Sequence, residues 1–349
     1  MADISSWHEP EDENLYWLPE HDSLGILTST RNVVEQGEFV WINIEQVEKM
    51  SEQLVHEDQE KIITSSPLWD QRYHFHDGTE RSVNWILLLD ALNFCFWAEK
   101  NQPRWNIDYQ GEILNGYWAE AAALKRAVEE GIPLWDASYL SKISKKVVTH
   151  IFRGTDALIT IPLLEQRIAN AREVGKVLSE HYNGQFSHAI KQANGSAVQL
   201  ALLLARDFSS FNDTATYHKR TVRFLKRAQI CIADLYGSFG AKQWGAFDDL
   251  DQLTIFADYK LPQVLRHFNV LEYYPTLAER IDNQQLLEPG SEEEIAIRAC
   301  TIWASELLRR ALLRHGHTIN AAEIDQRLWL IGQNSADMRP YHRTRTIYY

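Results

Sequence analysis

Asn84 to Glu99, NWILLLDALNFCFWAE, is the stretch on which the fold turns. Its nearly continuous apolar character predicts a buried helix, and its longest wholly apolar run, Trp85 to Leu89, is far short of the roughly 20 residues that span a membrane. Asp90 and Asn93 interrupt it at i,i+3 spacing, which puts them on one helix face. Buried polar groups need partners, so the pair either lines a pocket or caps a neighbouring helix. Further along, helical periodicity recurs. Gly111 to Glu130 places Leu114, Trp118, Ala121, Leu124 and Val128 at helical spacing and stops at Gly131-Ile132-Pro133. A long helix is expected from about Pro162 to Tyr182, and an apolar one from Ala197 to Ala205, with Asn183-Gly184 and Asn194-Gly195 as turns between them.

Upstream, residues 1 to about 45 read as an irregular acidic lead with a short hairpin, Val33-Val34 and Phe39-Val40-Trp41 flanking Glu35 to Glu38. A surface helix follows from Ile44 to about Ile63, broken at Ser65-Ser66-Pro67. No βαβ alternation occurs, so the expected fold class is all-α with a minor N-terminal β element, in a single domain over 1–349. Composition agrees with a folded globular chain: 45% of residues are hydrophobic, with 12 Trp, 14 Tyr and 13 Phe to fill a core. The formal charge of -13 disfavours a duplex nucleic-acid partner and favours a small ligand. Cys95, Cys231 and Cys300 are far apart in apolar contexts and read as reduced core residues. The acidic start, MADISSWHEPEDENLYW, has no apolar signal core, and the cytoplasm is the expected location.

Chemistry concentrates in Gly245 to Leu265, GAFDDLDQLTIFADYKLPQVL, where Asp248, Asp249, Asp251 and Asp258 alternate with Phe247, Phe256 and Tyr259. Carboxylates mixed with aromatics at this density suit a flat cationic or amide-bearing base. Tyr217 to about Tyr236 is expected to be a helix carrying Lys219, Arg220, Arg223, Lys226 and Arg227 mostly on one face, as either a solvated surface or a clamp for one phosphate. Ser291 and Glu294 form a capping box for a helix to about His315, and Asn320 with Glu323 opens another, AAEIDQRLWLI, ending at Gly332. Asp325 and Trp329 project from one face of that last helix, whose N-terminus favours an ionised Asp325. His74 and His76 in WDQRYHFHDG are either ligand contacts or loop histidines packed on aromatics. Without further ligands at metal spacing, no metal is expected there. The basic, aromatic tail PYHRTRTIYY docks on the body or remains a free end.

Six stretches taken together, VNWILLLDALNFCFW, PLLEQRIANAREVG, FSSFND, FLKRAQICIADLYG, FDDLDQLTIFADYKLPQVL and HRTRTIYY, resemble the queuosine salvage proteins, queuosine 5'-phosphate N-glycosylase/hydrolases. The resemblance runs from about Val83 to Tyr349. It implies a fold similar to the helix-hairpin-helix DNA glycosylases and hydrolysis of the N-glycosidic bond of queuosine 5'-phosphate, releasing queuine for salvage into transfer-RNA modification. It further implies that Phe247 and Asp249 bind the base, that His76 contacts the ligand, and that Asp325 acts as nucleophile or transition-state stabiliser. Asp258 is a second candidate for the base side chain, and Trp329 and Leu330 are further base-binding candidates at positions where the chain departs from the family pattern. Lys226, Arg227, Arg343, Arg345 and Tyr349 are the candidates for the phosphate. A monomer without cofactor is expected. The rival readings are a DNA or RNA base glycosylase of the same fold, which needs a broad basic surface, and a non-catalytic queuine-binding protein, which does not need Asp325.

Overall fold

A computed structural model describes residues 15–59, 69–334 and 337–349. The acidic lead at 1–14 and the expected break at Ser65-Ser66-Pro67 lie outside the described residues. The chain is mainly helical, in the order α1 (Ile26–Gln36), β1 (Val40–Ile42), α2 (Ile44–Gln59), α3 (Glu80–Leu92), β2 (Asn106–Tyr109), β3 (Glu112–Asn115) and α4 (Gly116–Glu129). Next come α5 (Ala137–Leu140), α6 (Lys145–Ile151), α7 (Leu164–His181), α8 (Ser187–Ala193), α9 (Ala197–Asp207), β4 (Thr214–Tyr217), β5 (Arg220–Arg223) and α10 (Lys226–Ser238). The last part holds α11 (Lys260–His267), β6 (Leu271–Tyr273), α12 (Pro275–Asp282), α13 (Glu292–Arg314) and α14 (Ala321–Asn334).

Two helices are buried nearly all round, α3 as its continuous apolar sequence requires and α13 despite the charged residues along it. One is α3, in contact with α4, α7, α8 and α10; the other is α13, in contact with α1, α2, α11 and α14. Both belong to one apolar core running from Leu24 to Leu328. Where α7 crosses the short α5, Gly175 has no room for a side chain, since a Cβ there would lie 2.2 Å from the Ser141 nitrogen.

α3 ends at Leu92 rather than continuing to Glu99, although no sequence breaker marks the spot. Its last carbonyls are taken by side chains. Arg227 donates to the Asp90 and Ala91 carbonyls, Asn170 to Ala91 at 2.9 Å, and Arg167 to Leu92, Phe94 and Cys95. A helix C-terminus in the interior is thus satisfied, and positive charge sits at the negative end of its dipole. Beyond it the chain turns through Cys95, in the left-handed region at φ 47°, with the Cys95 N–H donating to the Tyr349 carbonyl at 2.9 Å.

Other boundaries depart from expectation in ways that matter for the site. The N-terminal hairpin is not formed. Val33-Val34 belong to α1, which Gly37 terminates at φ 57°, while β1 pairs antiparallel with β6, Val40 opposite Tyr273. The helix expected from Gly111 begins instead as the hairpin β2–β3, turning at Gln110-Gly111, before α4. Likewise Tyr217 to Tyr236 is not one helix. β4 and β5 form a hairpin that turns at His218-Lys219, φ 45° and 66°, and α10 starts only at Lys226. Lys219, Arg220 and Arg223 are therefore exposed on a hairpin, and the shared cationic face does not exist.

Candidate active site

One cavity is lined from several parts of the chain: Asn93 and Phe96 after α3, Arg104, the start of α4, one face each of α10 and α14, residues 256–260, and Tyr341 and Tyr349. Helical spacing explains the two faces. Lys226, Ile230, Ala233 and Asp234 recur along α10, and Ala322, Asp325, Gln326, Trp329, Leu330 and Gln333 along α14. α14 starts with a reciprocal box, the Asn320 N–H donating to Glu323 Oε2 and the Glu323 N–H to Asn320 Oδ1, both at 2.9 Å. Close packing of Gly332 on Val264 of α11 sets its distance from the body.

Three carboxyl groups reach the cavity. Asp325 Oδ1 accepts the Phe256 N–H at 2.8 Å. Asp258 Oδ1 accepts the Lys260 and Leu261 N–H groups at 2.7 and 2.9 Å, capping the first turn of α11. Asp234 faces in from α10. The helix-end effect expected to keep Asp325 ionised is outweighed, because burial first and the neighbouring Asp258 charge second push its carboxyl well above the ordinary range. Burial also raises Asp258, and it raises Asp234 to about 7. Lys226 is the buried counter-charge; desolvation lowers its ammonium, and the field of Asp258 works against that.

These groups are tied together from behind by one buried ion pair. Arg298 of α13 donates to both oxygens of Asp213, at 2.9 and 2.6 Å, and its Nε donates to the Ala257 carbonyl at 3.1 Å. Asp213 Oδ2 in turn accepts the Lys226 N–H at 3.2 Å. The segment carrying Asp258 and the start of α10 are therefore fixed by the same pair.

Residues 73–349 match the family model described as queuosine salvage protein. The chain belongs to the queuosine salvage protein family. Among its relatives, a queuosine 5'-phosphate N-glycosylase/hydrolase of Sphaerobacter thermophilus is 49% identical over 329 residues, spanning 94% of this chain and 98% of its own. The protein of the same name from Mus musculus is 35% identical over 338 residues, 92% and 97% of the two chains. That from Dictyostelium discoideum is 36% identical over 324 residues, 90% and 95%. The match to the queuosine salvage family contains every residue that lines the cavity.

Of the residues singled out from the sequence, Asp325, Trp329, Leu330, Asp258, Lys226 and Tyr349 meet in the cavity. Phe247 and Asp249 do not. Asp249 is committed to the start of α9, accepting from the Ser196 hydroxyl at 2.5 Å and from the Ala197 N–H, and Phe247 packs against the core. His76 lies against Phe239, away from the cavity, with its Nε2 meeting no partner among the described residues. It is His74 that connects to the site, through the Tyr117 hydroxyl at 2.8 Å. Arg227 is buried on the carbonyls at the end of α3 and the Ser210 carbonyl. Arg345 pairs with Glu99 on the outside, and Arg343 packs over Trp97. The Tyr349 hydroxyl donates to Glu294 Oε1 at 2.8 Å. Glu38, His218 and Glu292 bring potential metal-ligating atoms together at the surface, and neither His74 nor His76 takes part.

Sequence reasoning passed over Asp234, Tyr117, Arg104, Lys260 and Tyr341. Asp234 had a signal: it lies two turns from Lys226 on the same helix face. Arg104 and Tyr341 sit in irregular segments with no periodicity to place them.

Proposed function

We propose that this chain hydrolyses the N-glycosidic bond of queuosine 5'-phosphate, releasing queuine. The observation that carries the reading is a buried carboxyl group, Asp325, held by a backbone N–H inside an aromatic-walled cavity with cations at its edge. Glycosidic cleavage develops positive charge on the sugar. A carboxylate beneath the anomeric carbon stabilises that charge or traps it covalently. Burial makes the cavity a poor place for an uncompensated Asp325 charge, so a cationic sugar arriving beside it gains more than it would in water. Trp329 and Phe96 supply flat faces for the base, and Asp258 keeps its second oxygen for a donor on the base or its side chain.

The phosphate falls to Arg104 and Lys260, with Lys226 deeper in. Arg104 Nη2 donates to the Tyr341 hydroxyl at 3.2 Å, and Lys260 Nζ lies 5.3 Å from the same ring. Desolvation lowers the Lys260 ammonium, Asp258 opposes that, and the Arg104 charge lowers it further, a repulsion that a bound anion relieves. A single nucleotide in the cytoplasm, acted on by a monomer, fits this arrangement and the net charge better than a nucleic-acid strand.

The test is incubation of the purified protein with queuosine 5'-phosphate and detection of free queuine by mass spectrometry. Wild type releases queuine and Asp325→Ala releases at least 100-fold less. No queuine from wild type, or undiminished turnover by Asp325→Ala, overturns the proposal.

A further inference from the structure

Behind Asp234 runs a chain of hydrogen-bonding groups whose direction is fixed at one end. His74 is buried, and its Nδ1 lies 2.7 Å from the Asp70 carbonyl oxygen. A carbonyl only accepts, so Nδ1 carries the proton. Burial pushes the imidazole down to about 4, so near neutral pH the ring is uncharged and Nε2 is an acceptor. The Tyr117 hydroxyl, 2.8 Å from Nε2, must therefore donate its only proton there. What it offers Asp234 Oδ2, 3.4 Å away, is a lone pair. An ionised carboxylate has nothing to donate to a lone pair; a carboxylic acid has.

The group behind Asp234 is a second buried carboxyl. Asp90 of α3 is fully buried, and neither of its oxygens meets a hydrogen-bond partner of good geometry among the described residues. Burial first and Asp234 second drive its carboxyl far above the ordinary range. Two adjacent buried carboxyl groups do not both ionise, and Asp90 is the one held firmly neutral, so Asp234 is the member of the pair able to release a proton. The charged and titratable groups around Asp234 are Asp90 from α3, Tyr117 from α4, and Lys226 and Cys231 from α10 itself, with Asp258 and Asp325 lining the same cavity. Lys226 is the one cation among them, and it is shared with Asp258, Asp325 and Asp90.

We infer that Asp234 rests as a neutral carboxylic acid and is the proton donor to the departing base. The inference rests on the glycosylase reading. As the bond between the anomeric carbon and the base nitrogen breaks, its electron pair leaves with the base, and the base takes the proton from Asp234. Water adds to the sugar, directly or by releasing it from Asp325, and the proton that this water loses restores the acid on Asp234. A 7-deazaguanine has carbon where guanine has N7, so protonation by a group built into the cavity is the step its departure lacks. Asp325 and Asp234 thus divide the chemistry: the carboxyl on one helix serves the sugar, and the carboxyl on the other gives the base its proton.

The experiment is the pH profile of queuine release by wild type, Asp234→Asn and Tyr117→Phe. An acid that must be protonated gives a rate that falls as pH rises through its pKa, here above about pH 7. Asp234→Asn should lose at least 100-fold in kcat with little change in KM, and should lack the alkaline limb. Tyr117→Phe removes the acceptor that holds the acid form, so its alkaline limb should move to lower pH. Infrared difference spectra of wild type against Asp234→Asn, without substrate, should show the carboxylic-acid carbonyl band below pH 7. No queuine from wild type overturns the glycosylase reading. Queuine from wild type with an unchanged kcat or alkaline limb in Asp234→Asn, a limb moved upward in Tyr117→Phe, or no acid band overturns this inference alone.

Discussion

Replacing Arg298 by Met removes the cation that holds two walls of the cavity from behind. Arg298 and Asp213 are 2% exposed or less, and the guanidinium makes two bonds to the carboxylate and one to the Ala257 carbonyl. Removing one partner of a buried pair destabilises by about 3 to 5 kcal/mol, because the other charge stays behind uncompensated. The stranded Ala257 carbonyl adds about 1 kcal/mol. For a total loss of about 5 kcal/mol and an m-value of about 3 kcal/mol/M, the urea midpoint should fall by roughly 1.7 M. Activity should fall as well, since the Asp258 segment loses its anchor. The double variant Asp213→Leu/Arg298→Met separates the two effects. An apolar pair of similar volume restores much of the stability, but the Lys226 N–H and the Ala257 carbonyl both lack their partners, so queuine release stays low. A single variant that shifts the midpoint by less than about 0.3 M, or a double variant that recovers activity together with stability, would refute the reasoning.

Arg104→Ala and Lys260→Ala should each raise KM for queuosine 5'-phosphate by about tenfold or more, the worth of a charge-assisted hydrogen bond, while the unphosphorylated nucleoside is unaffected; equal losses on both substrates would remove these residues from the phosphate. Burial of neutral His74 makes its proton binding favour the unfolded chain, so its contribution to stability is intact above pH 6.5 and declines as pH falls towards about 4. That interval corresponds to roughly 3 kcal/mol; urea midpoints of wild type and His74→Gln should converge across it, and parallel curves would refute the assignment. Gly332→Ala places a methyl 2.9 Å from Val264 Cγ2, an overpacking of about 1 to 3 kcal/mol that lowers the melting temperature and, by displacing α14, the turnover; Val264→Ala in the same chain should restore part of both.

The helices were legible where pattern and caps agree. α14 is the clearest case: Asn320 and Glu323 announced its start, and its period alone placed Asp325 and Trp329 on one face. The other acidic stretch was half deceptive. Asp249 and Asp258 stand nine residues apart in one Asp-rich run, yet one caps α9 on the surface and the other caps α11 at the cavity. Composition cannot separate them, because the difference lies in which helix start each reaches. The end of α3 was invisible for a related reason. Its stop comes from arginines contributed by α7 and α10, and nothing between Leu92 and Glu99 encodes it locally. The basic run before α10 failed on phase: residues at spacings of three and four suited a helix, while β4 and β5 used a left-handed turn at two non-glycine residues that no turn signal marks. That misphasing hid Asp234, which periodicity counted from Lys226 alone would have exposed.

The buried end of α3 also sets a timetable. Asp90 and the Arg227 that receives its carbonyl are 137 residues apart. At about 5 to 20 residues per second, the ribosome needs roughly 7 to 27 seconds to make that distance. Until then the Asp90 carbonyl of this apolar helix lacks the arginine that satisfies it in the folded chain, which keeps the helix from entering a dry interior. A nascent chain therefore carries WILLL as unfinished, adhesive surface for that whole interval, and its yield in a cell depends on what shields it while the arginine is still being made.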